Sequence, residues 1–299
     1  MIKKGLSLVF LTAIISGVSI FLNKYSVSAI NPYVFTFLKN VVVAVALLSL
    51  ILMLKNFNEL IKLNKKQWLN LVLIGLIGGS VPFLLFFKGL SLTSSAMGSF
   101  IHKSMFVYVG VLAVIFLREK LSKSIFISSI LLLAGNFLIL KLKSFSFNYG
   151  DLLILIATLF WAVENVISKH VLKKLSGNVV AFGRMFFGSI FILLFLGFTN
   201  QLAPIKDINA SQFLWVLFTS LLLLLYVVTW YNGIKTIKVT VATSVLLIGS
   251  PVTTLLSSVF SGSISSLIEL FGIVLTIIGV VIMIKFVDKS KSQLTFSTA

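Results

Sequence analysis

A run of about twenty apolar residues recurs along the whole chain, and no other feature constrains the fold as strongly. Such segments lie at 5–23, 33–54, 67–87, 91–117, 124–140, 150–168, 178–199, 211–231, 239–260 and 266–284. A helix of about 20 residues crosses the ~30 Å hydrocarbon core of a bilayer. With 59% of the 299 residues hydrophobic and 11% charged, a soluble domain has too little polar surface to cover itself. The expected fold is an all-α membrane protein of ten transmembrane helices. The first segment follows Met1-Ile2-Lys3-Lys4 in the manner of a signal peptide, but its apolar run to Asn23 is too long for one. It also has a counterpart later in the chain, so it reads as the first helix.

The net charge of +18 is the kind of imbalance that brings soluble proteins to nucleic acid, but here the positions of the basic residues decide against that partner. With the N-terminus inside, seventeen of the 25 basic residues fall on the cytoplasmic side and five, Lys24, Lys88, Lys141, Lys143 and Lys206, on the other. The positive-inside rule then places both termini in the cytoplasm. The remaining three, Lys39, Lys103 and Arg184, lie within apolar segments. There is no cysteine, and the two histidines are His102 and His170. No thiolate metal site, ligand cluster or nucleophile–base pair is formed from these. The phosphate-binding Gly-x-x-x-x-Gly-Lys-Ser/Thr loop is also missing from the sequence. No cofactor, no metal and no enzymatic activity are expected. Short loops throughout suit a multi-pass protein of a prokaryotic plasma (inner) membrane.

The sequence repeats itself. A shift of 145 residues places Lys24 on Lys169, Val34 on Val179, Phe37 on Phe182 and Lys39 on Arg184. A shift of 144 then places Gly89 on Gly233, Ser99 on Thr243, Phe116 on Phe260, Ser122 on Ser266 and Gly135 on Gly279. Rare charges coincide as well as common apolar residues. The two units are 5–140 and 150–284. Five helices is an odd number, so the second unit enters the membrane inverted relative to the first. Inverted repeats place a binding site near the midplane at their interface and expose it alternately to each side as one unit rocks against the other. Transport follows from the architecture.

The motifs in each half resemble the drug/metabolite transporter superfamily, specifically its EamA-like members, over nearly the whole chain. The first half has Ser16-Gly17, Pro32 and Lys39, and the second has Trp161-Ala162, Gly177 and Arg184. Glu119 with Val107 in one half, and Pro251 with Ser263 in the other, each keep one element of the fourth-helix pattern. Gly272 and Gly279 match the paired glycines of the last helix, where the first half has Ser128 and Gly135. The resemblance implies two five-helix repeats and movement of a small molecule by alternating access. It leaves the cargo open, from amino acids and nucleobases to drugs, sugar conjugates and lipid-linked intermediates.

Glu164 is the one acid set well inside an apolar segment, where an ionisable group is expensive unless it is paired, protonated or wet. It is the first candidate for coupling, taking up and releasing a proton as water access alternates. The plainer reading is an ion pair with Lys169 or another interfacial lysine. At helical spacing Trp161, Glu164, Asn165 and Ser168 share a face, while Ser16, Ser19 and Asn23, repeat partners of three of them, form a polar stripe with Thr12. Two such stripes fit one central cavity.

His102 and Lys103 sit mid-segment, where a lysine costs about 2.5–3.5 kcal/mol on insertion scales, and their repeat partners are Leu246 and Leu247. Ser95, Ser99 and His102 share a face that would line water, with Lys103 beside it or paired with Glu164. A helix discontinuity that brings Lys103 to an aqueous boundary is the alternative. Lys103→Met is expected to abolish binding of an anionic substrate while preserving insertion. Lys39 and Arg184 are long enough to anchor at the two membrane faces by snorkelling, or else belong to a gate or to the cavity. Gly75 and Gly79 are expected to pack against another helix, and Pro82 and Gly249-Ser250-Pro251 to kink theirs.

The substrate-binding set is therefore Lys39, His102, Lys103, Trp161, Asn165 and Arg184, with Glu164 and His102 as coupling residues. The expected function is secondary active transport of a small amino acid-like or anionic solute by alternating access, with proton coupling or exchange and with export as an open direction. The alternative is a flippase for a lipid-linked phosphate intermediate. The expected partners are that small-molecule substrate and the lipid bilayer, with a homodimer left open.

Overall fold

Lipid offers the backbone no hydrogen-bond partners, so a chain this apolar satisfies its amides inside helices. The computed structural model describes residues 2–55, 57–119, 123–139, 147–262 and 266–296, and among them no strand occurs. Ser122 and Ser263, each part of a motif above, lie outside the described residues, as do Lys120, Lys141 and Lys143.

The helices are α1 (Ile2–Ala29), α2 (Pro32–Met53), the short α3 (Phe57–Ile61) and α4 (Lys65–Ile74), which runs through a π-helical turn (Gly75–Ser80) into α5 (Val81–Leu92). Next come α6 (Ser95–Lys103), α7 (Met105–Leu117), α8 (Lys123–Ile139), α9 (Tyr149–Val171), α10 (Gly177–Phe198) and α11 (Ala210–Thr236). Last are α12 (Val239–Val245), a 3-10 turn (Leu246–Ile248), α13 (Gly249–Phe260) and α14 (Leu267–Phe296). Among the described residues eight helical stretches are long and apolar enough to cross a membrane, and Phe126–Ile139 and Leu267–Ile282 are shorter apolar helices.

Asparagine starts several of these helices, because its short carboxamide accepts from the first free amides. Asn31 receives Tyr33 N at 2.9 Å ahead of Pro32, and Asn64, Asn148 and Asn209 close reciprocal capping boxes with Gln67, Asp151 and Gln212. The break after α5 falls at Thr93-Ser94, beyond the gap at 88–90 between the expected segments, because Ser94 caps α6 by accepting from Met97 N at 3.1 Å.

Two of the interruptions fall at prolines. Pro82 has no N–H for the carbonyl four residues back, and the helix passes through the π turn there. Pro251 follows the 3-10 turn in the same way, and the carbonyl it leaves, that of Leu247, accepts Asn136 Nδ2 at 3.4 Å. The α6–α7 break at Ser104 lies one repeat away from Ile248 in that turn.

Packing is reciprocal across the repeat. α1 packs on α11 as α5 packs on α9, and α1 on α13 as α7 on α9, while α2 meets α10 and α8 meets α14. Gly75 and Gly79 pack on α10 as expected. A Cβ on Gly79 would run into the Arg184 carbonyl, and one on Gly188 into the Gly79 backbone.

Candidate functional site

Lys24 and Lys169, paired by the repeat, do the same job. Lys24 Nζ donates to Leu90 O at 3.0 Å and Ser91 O at 3.2 Å, and Lys169 Nζ to Ile234 O at 2.6 Å and Ile237 O at 2.7 Å. Each ammonium covers the carbonyls left at the C-terminus of a neighbouring helix. Lys169 is therefore engaged with backbone, and the expected alternative pairing of Glu164 with it does not occur.

Glu164 is instead fully buried against Arg184. Its Oε1 accepts from Tyr231 OH at 2.6 Å and Ser168 Oγ at 2.5 Å, and its Oε2 lies 3.8 Å from Arg184 Nη1 without a hydrogen bond of its own. Arg184 Nη1 donates to Tyr231 OH at 3.0 Å, and its guanidinium lies over the Phe83 ring at 5.2 Å. The Gly78 carbonyl, freed by Pro82, accepts both Arg184 Nε at 3.1 Å and Trp161 Nε1 at 2.9 Å. Only glycine fits at 78, since a Cβ there would strike the Glu164 side chain.

The other cations are buried too. Lys39 is 1% exposed and Arg184 4%, so neither snorkels to a membrane face: both aim inward, and water is replaced by π faces and hydrogen bonds. Lys39 Nζ donates to Asn23 Oδ1 at 2.8 Å, Asn23 Nδ2 donates to Ser19 Oγ at 3.0 Å, and the ammonium lies 4.9 Å from the Phe35 ring and 5.1 Å from that of Phe87.

Lys103, at the end of α6, is 1% exposed despite the break that follows it. Its Nζ donates to Ser16 Oγ at 2.5 Å and lies 3.3 Å from His102 Nδ1. The expected Lys103–Glu164 pair does not form, because Arg184 already occupies that carboxylate. Of the face expected to line water, Ser95 bonds Ser257 Oγ at 2.8 Å and Ser99 accepts from Thr253 Oγ1 at 3.1 Å, leaving His102 as the member that reaches the cavity.

That cavity, of about 60 Å³, lies between the halves. Ser16, Ser19, Asn23 and Lys39 line it from the first half's leading helices, Trp161, Asn165 and Arg184 from the second's, and His102 from α6. The Asn165 carboxamide is held by Trp230 Nε1, which donates to its Oδ1 at 2.8 Å. Of the expected binding residues, Lys39, His102, Trp161, Asn165 and Arg184 face one space, with Lys103 behind Ser16 and Glu164 behind Arg184.

Sequence reasoning missed the aromatic walls. Phe83, Phe86, Phe87, Tyr226 and Trp230 also line the cavity, and the His102 and Trp161 rings meet edge to face at 4.9 Å. A signal was present: at the 144-residue shift Phe86 falls on Trp230 and Phe87 on Tyr231. The missed Glu119 role is structural, its carboxylate accepting from Val239 N at 3.0 Å and Thr240 Oγ1 at 2.7 Å to cap α12.

Residues 3–141 and 148–285 each match the EamA-like transporter family. The chain is 26% identical over 281 residues to an uncharacterized transporter, YyaM, of Bacillus subtilis (strain 168), covering 90% of this chain and 89% of that protein. An uncharacterized transporter of Haemophilus influenzae is 26% identical over 70% of this chain and 66% of its own length. A solved crystal structure aligns over 95% of this chain and 98% of its own with a TM-score of 0.74 at 18% identity, a likeness of fold alone.

Proposed function

The chain belongs to the EamA-like transporter family of the drug/metabolite superfamily and is a multi-pass membrane transporter, and from that premise we propose that it carries a small anionic metabolite by alternating access through the cavity around Lys39 and Arg184. The observation that carries this reading is the charge of the cavity. Lys39 and Arg184 line it and Lys103 stands directly behind, and among the described residues Glu164 on Arg184 is the one acid set against them. A buried ammonium without a counter-ion is costly. An anionic substrate supplies the missing charge.

The reading takes the ten apolar helices as ten spans in two inverted five-helix units, 5–140 and 150–284, with both termini in the cytoplasm of a cell with a plasma (inner) membrane. Reciprocal packing, the matched Lys24 and Lys169 caps, and helix interruptions at corresponding points near Ser104 and Ile248 support it. Interrupted helices in corresponding positions of two repeats are where transporters of this architecture build their sites. A cavity of about 60 Å³ is small beside the roughly 300 Å³ of a minimal ligand site, so the halves must part to admit cargo, which is what alternation provides.

Glu164 is the coupling residue in this account, and His102, 3.3 Å from Lys103, is a second proton carrier. While ionised, the carboxylate occupies Arg184; once protonated it releases Arg184 to the substrate, so proton and anion enter together. A flippase would need an opening from lipid into the same space. The apolar grooves between α4, α7 and α9 and between α7, α8 and α12 share no lining residue with the cavity, which favours a soluble cargo.

The test is counterflow in proteoliposomes, with labelled amino acids, organic acids and phosphorylated metabolites against choline as a cationic control. Saturable exchange of anions is expected. Exchange of choline alone, or scrambling of a fluorescent lipid phosphate with no soluble exchange, would replace this reading.

A further inference from the structure

We infer that the transported anion presents a carboxylate, and that it docks on Lys39, Ser19 and Asn23, in the place that the Glu164 carboxylate holds in the second half. The inference rests on the anion reading above and adds the site and the head group.

The two halves build the same arrangement around their buried cation, with one piece exchanged. Arg184 corresponds to Lys39, Ser168 to Asn23, Tyr231 to Phe87 and Glu164 to Ser19. In the second half the cation lies 5.8 Å from the Tyr231 ring, and the carboxylate from position 164 fills the space between Arg184 and Ser168, which donates to it. In the first half the cation lies 5.1 Å from the Phe87 ring and meets the Ser168 counterpart directly, at Asn23. What is missing is the acid, because Ser19 ends at its hydroxyl.

The space left over is the cavity itself. Ser19, Asn23 and Lys39 all line it, whereas Glu164 and Ser168 do not. An ammonium carries three donors, and among the described residues Lys39 uses one, on Asn23. The Asn23 amide and the Ser19 hydroxyl lie within one hydrogen-bonded chain with it, so a carboxylate meets a cation and two further donors. Ser19→Glu would then supply the anion from within, as position 164 does in the other half.

The experiment measures binding of labelled succinate, glutamate, benzoate and inorganic phosphate to the purified chain in lipid nanodiscs, with choline as control. Wild type is expected to bind at least one carboxylate and not phosphate. Ser19→Glu and Lys39→Met are expected to lose about tenfold or more in affinity, equivalent to about 1.4 kcal/mol, while Ser19→Ala, which removes one donor and adds no charge, loses less than Ser19→Glu. Should Ser19→Glu not fold, Asn23→Ala carries the same expectation of weakened binding.

Undiminished carboxylate binding in folded Ser19→Glu or Asn23→Ala overturns the site. So does a loss confined to Lys103→Met, which moves the anion to Ser16 and leaves the anion reading standing. Phosphate bound in preference to every carboxylate overturns the head group. Choline bound with no anion at all overturns the underlying reading as well.

Discussion

Arg184 Nη1 stands 3.8 Å from Glu164 Oε2, with both side chains buried between α9 and α10. Removing one partner of a buried pair strands the other, typically at about 3–5 kcal/mol, whereas replacing both with apolar groups is close to neutral. Glu164→Ala is therefore expected to lower the unfolding midpoint in detergent strongly. The double replacement Glu164→Leu with Arg184→Met should recover most of that loss while abolishing transport. A double variant no more stable than Glu164→Ala would show that the pair is not what the fold responds to.

Coupling is tested by a gentler change. Glu164→Gln keeps acceptors for Tyr231 and Ser168 but cannot exchange a proton. Counterflow should persist, because exchange needs no net proton movement, while uptake driven by an inward proton gradient should vanish in the same liposomes. Unchanged gradient-driven uptake would remove Glu164 from the coupling step.

The matched lysine caps predict matched losses. Lys24→Met strips a charged donor from two backbone carbonyls and Lys169→Met from three, one of them a long contact to Lys235 O at 3.4 Å, and hydrogen bonds to charged groups contribute about 1.5–3 kcal/mol, less here because both lysines are partly solvated. Thermal unfolding should show similar destabilisation of about 1–2 kcal/mol for each, with substrate affinity unaltered. A large difference between them would argue against equivalent roles.

Glycine positions separate packing from propensity. Gly79→Ala and Gly188→Ala each drive a methyl into the other helix's backbone, which has no rotamer to yield, so a cost of about 1–3 kcal/mol is expected together with weakened transport through displaced Arg184. Gly110→Ala meets open space and should be neutral or stabilising by about 0.5–1 kcal/mol, from helix propensity alone. Thermal unfolding of the three variants side by side decides it.

The helical architecture was legible because lipid makes hydrophobic length decisive, and the repeat because Lys24, Lys39, Lys169 and Arg184 are rare enough for coincidence to carry information. Lys39 and Arg184 were found for the same reason. Their direction was not legible: a long cation within two turns of a membrane face reads as an anchor until Asn23, Phe87 and Tyr231 are placed around it. The choice of partner for Glu164 was hidden likewise: the sequence offered Lys103 and Lys169, and only the fold sets Tyr231 and Arg184 against the carboxylate. The Gly78 carbonyl was invisible, although Pro82 foretold a break, because a freed backbone acceptor has no side chain to announce it.

Alternating access requires that the cavity between the halves open to each side in turn. The chain has no cysteine, so single thiols can be placed without background at Ile20 and Asn165, repeat partners that both line the cavity, and at exposed Phe198 as a one-sided control. Sealed vesicles carrying Ile20→Cys, Asn165→Cys or Phe198→Cys would be treated with a small impermeant thiol reagent from outside or from within. Both cavity thiols should react from either side, more slowly with a transported anion present, and Phe198→Cys from one side only. Reaction of both cavity thiols from the same single side under every condition would contradict alternating access.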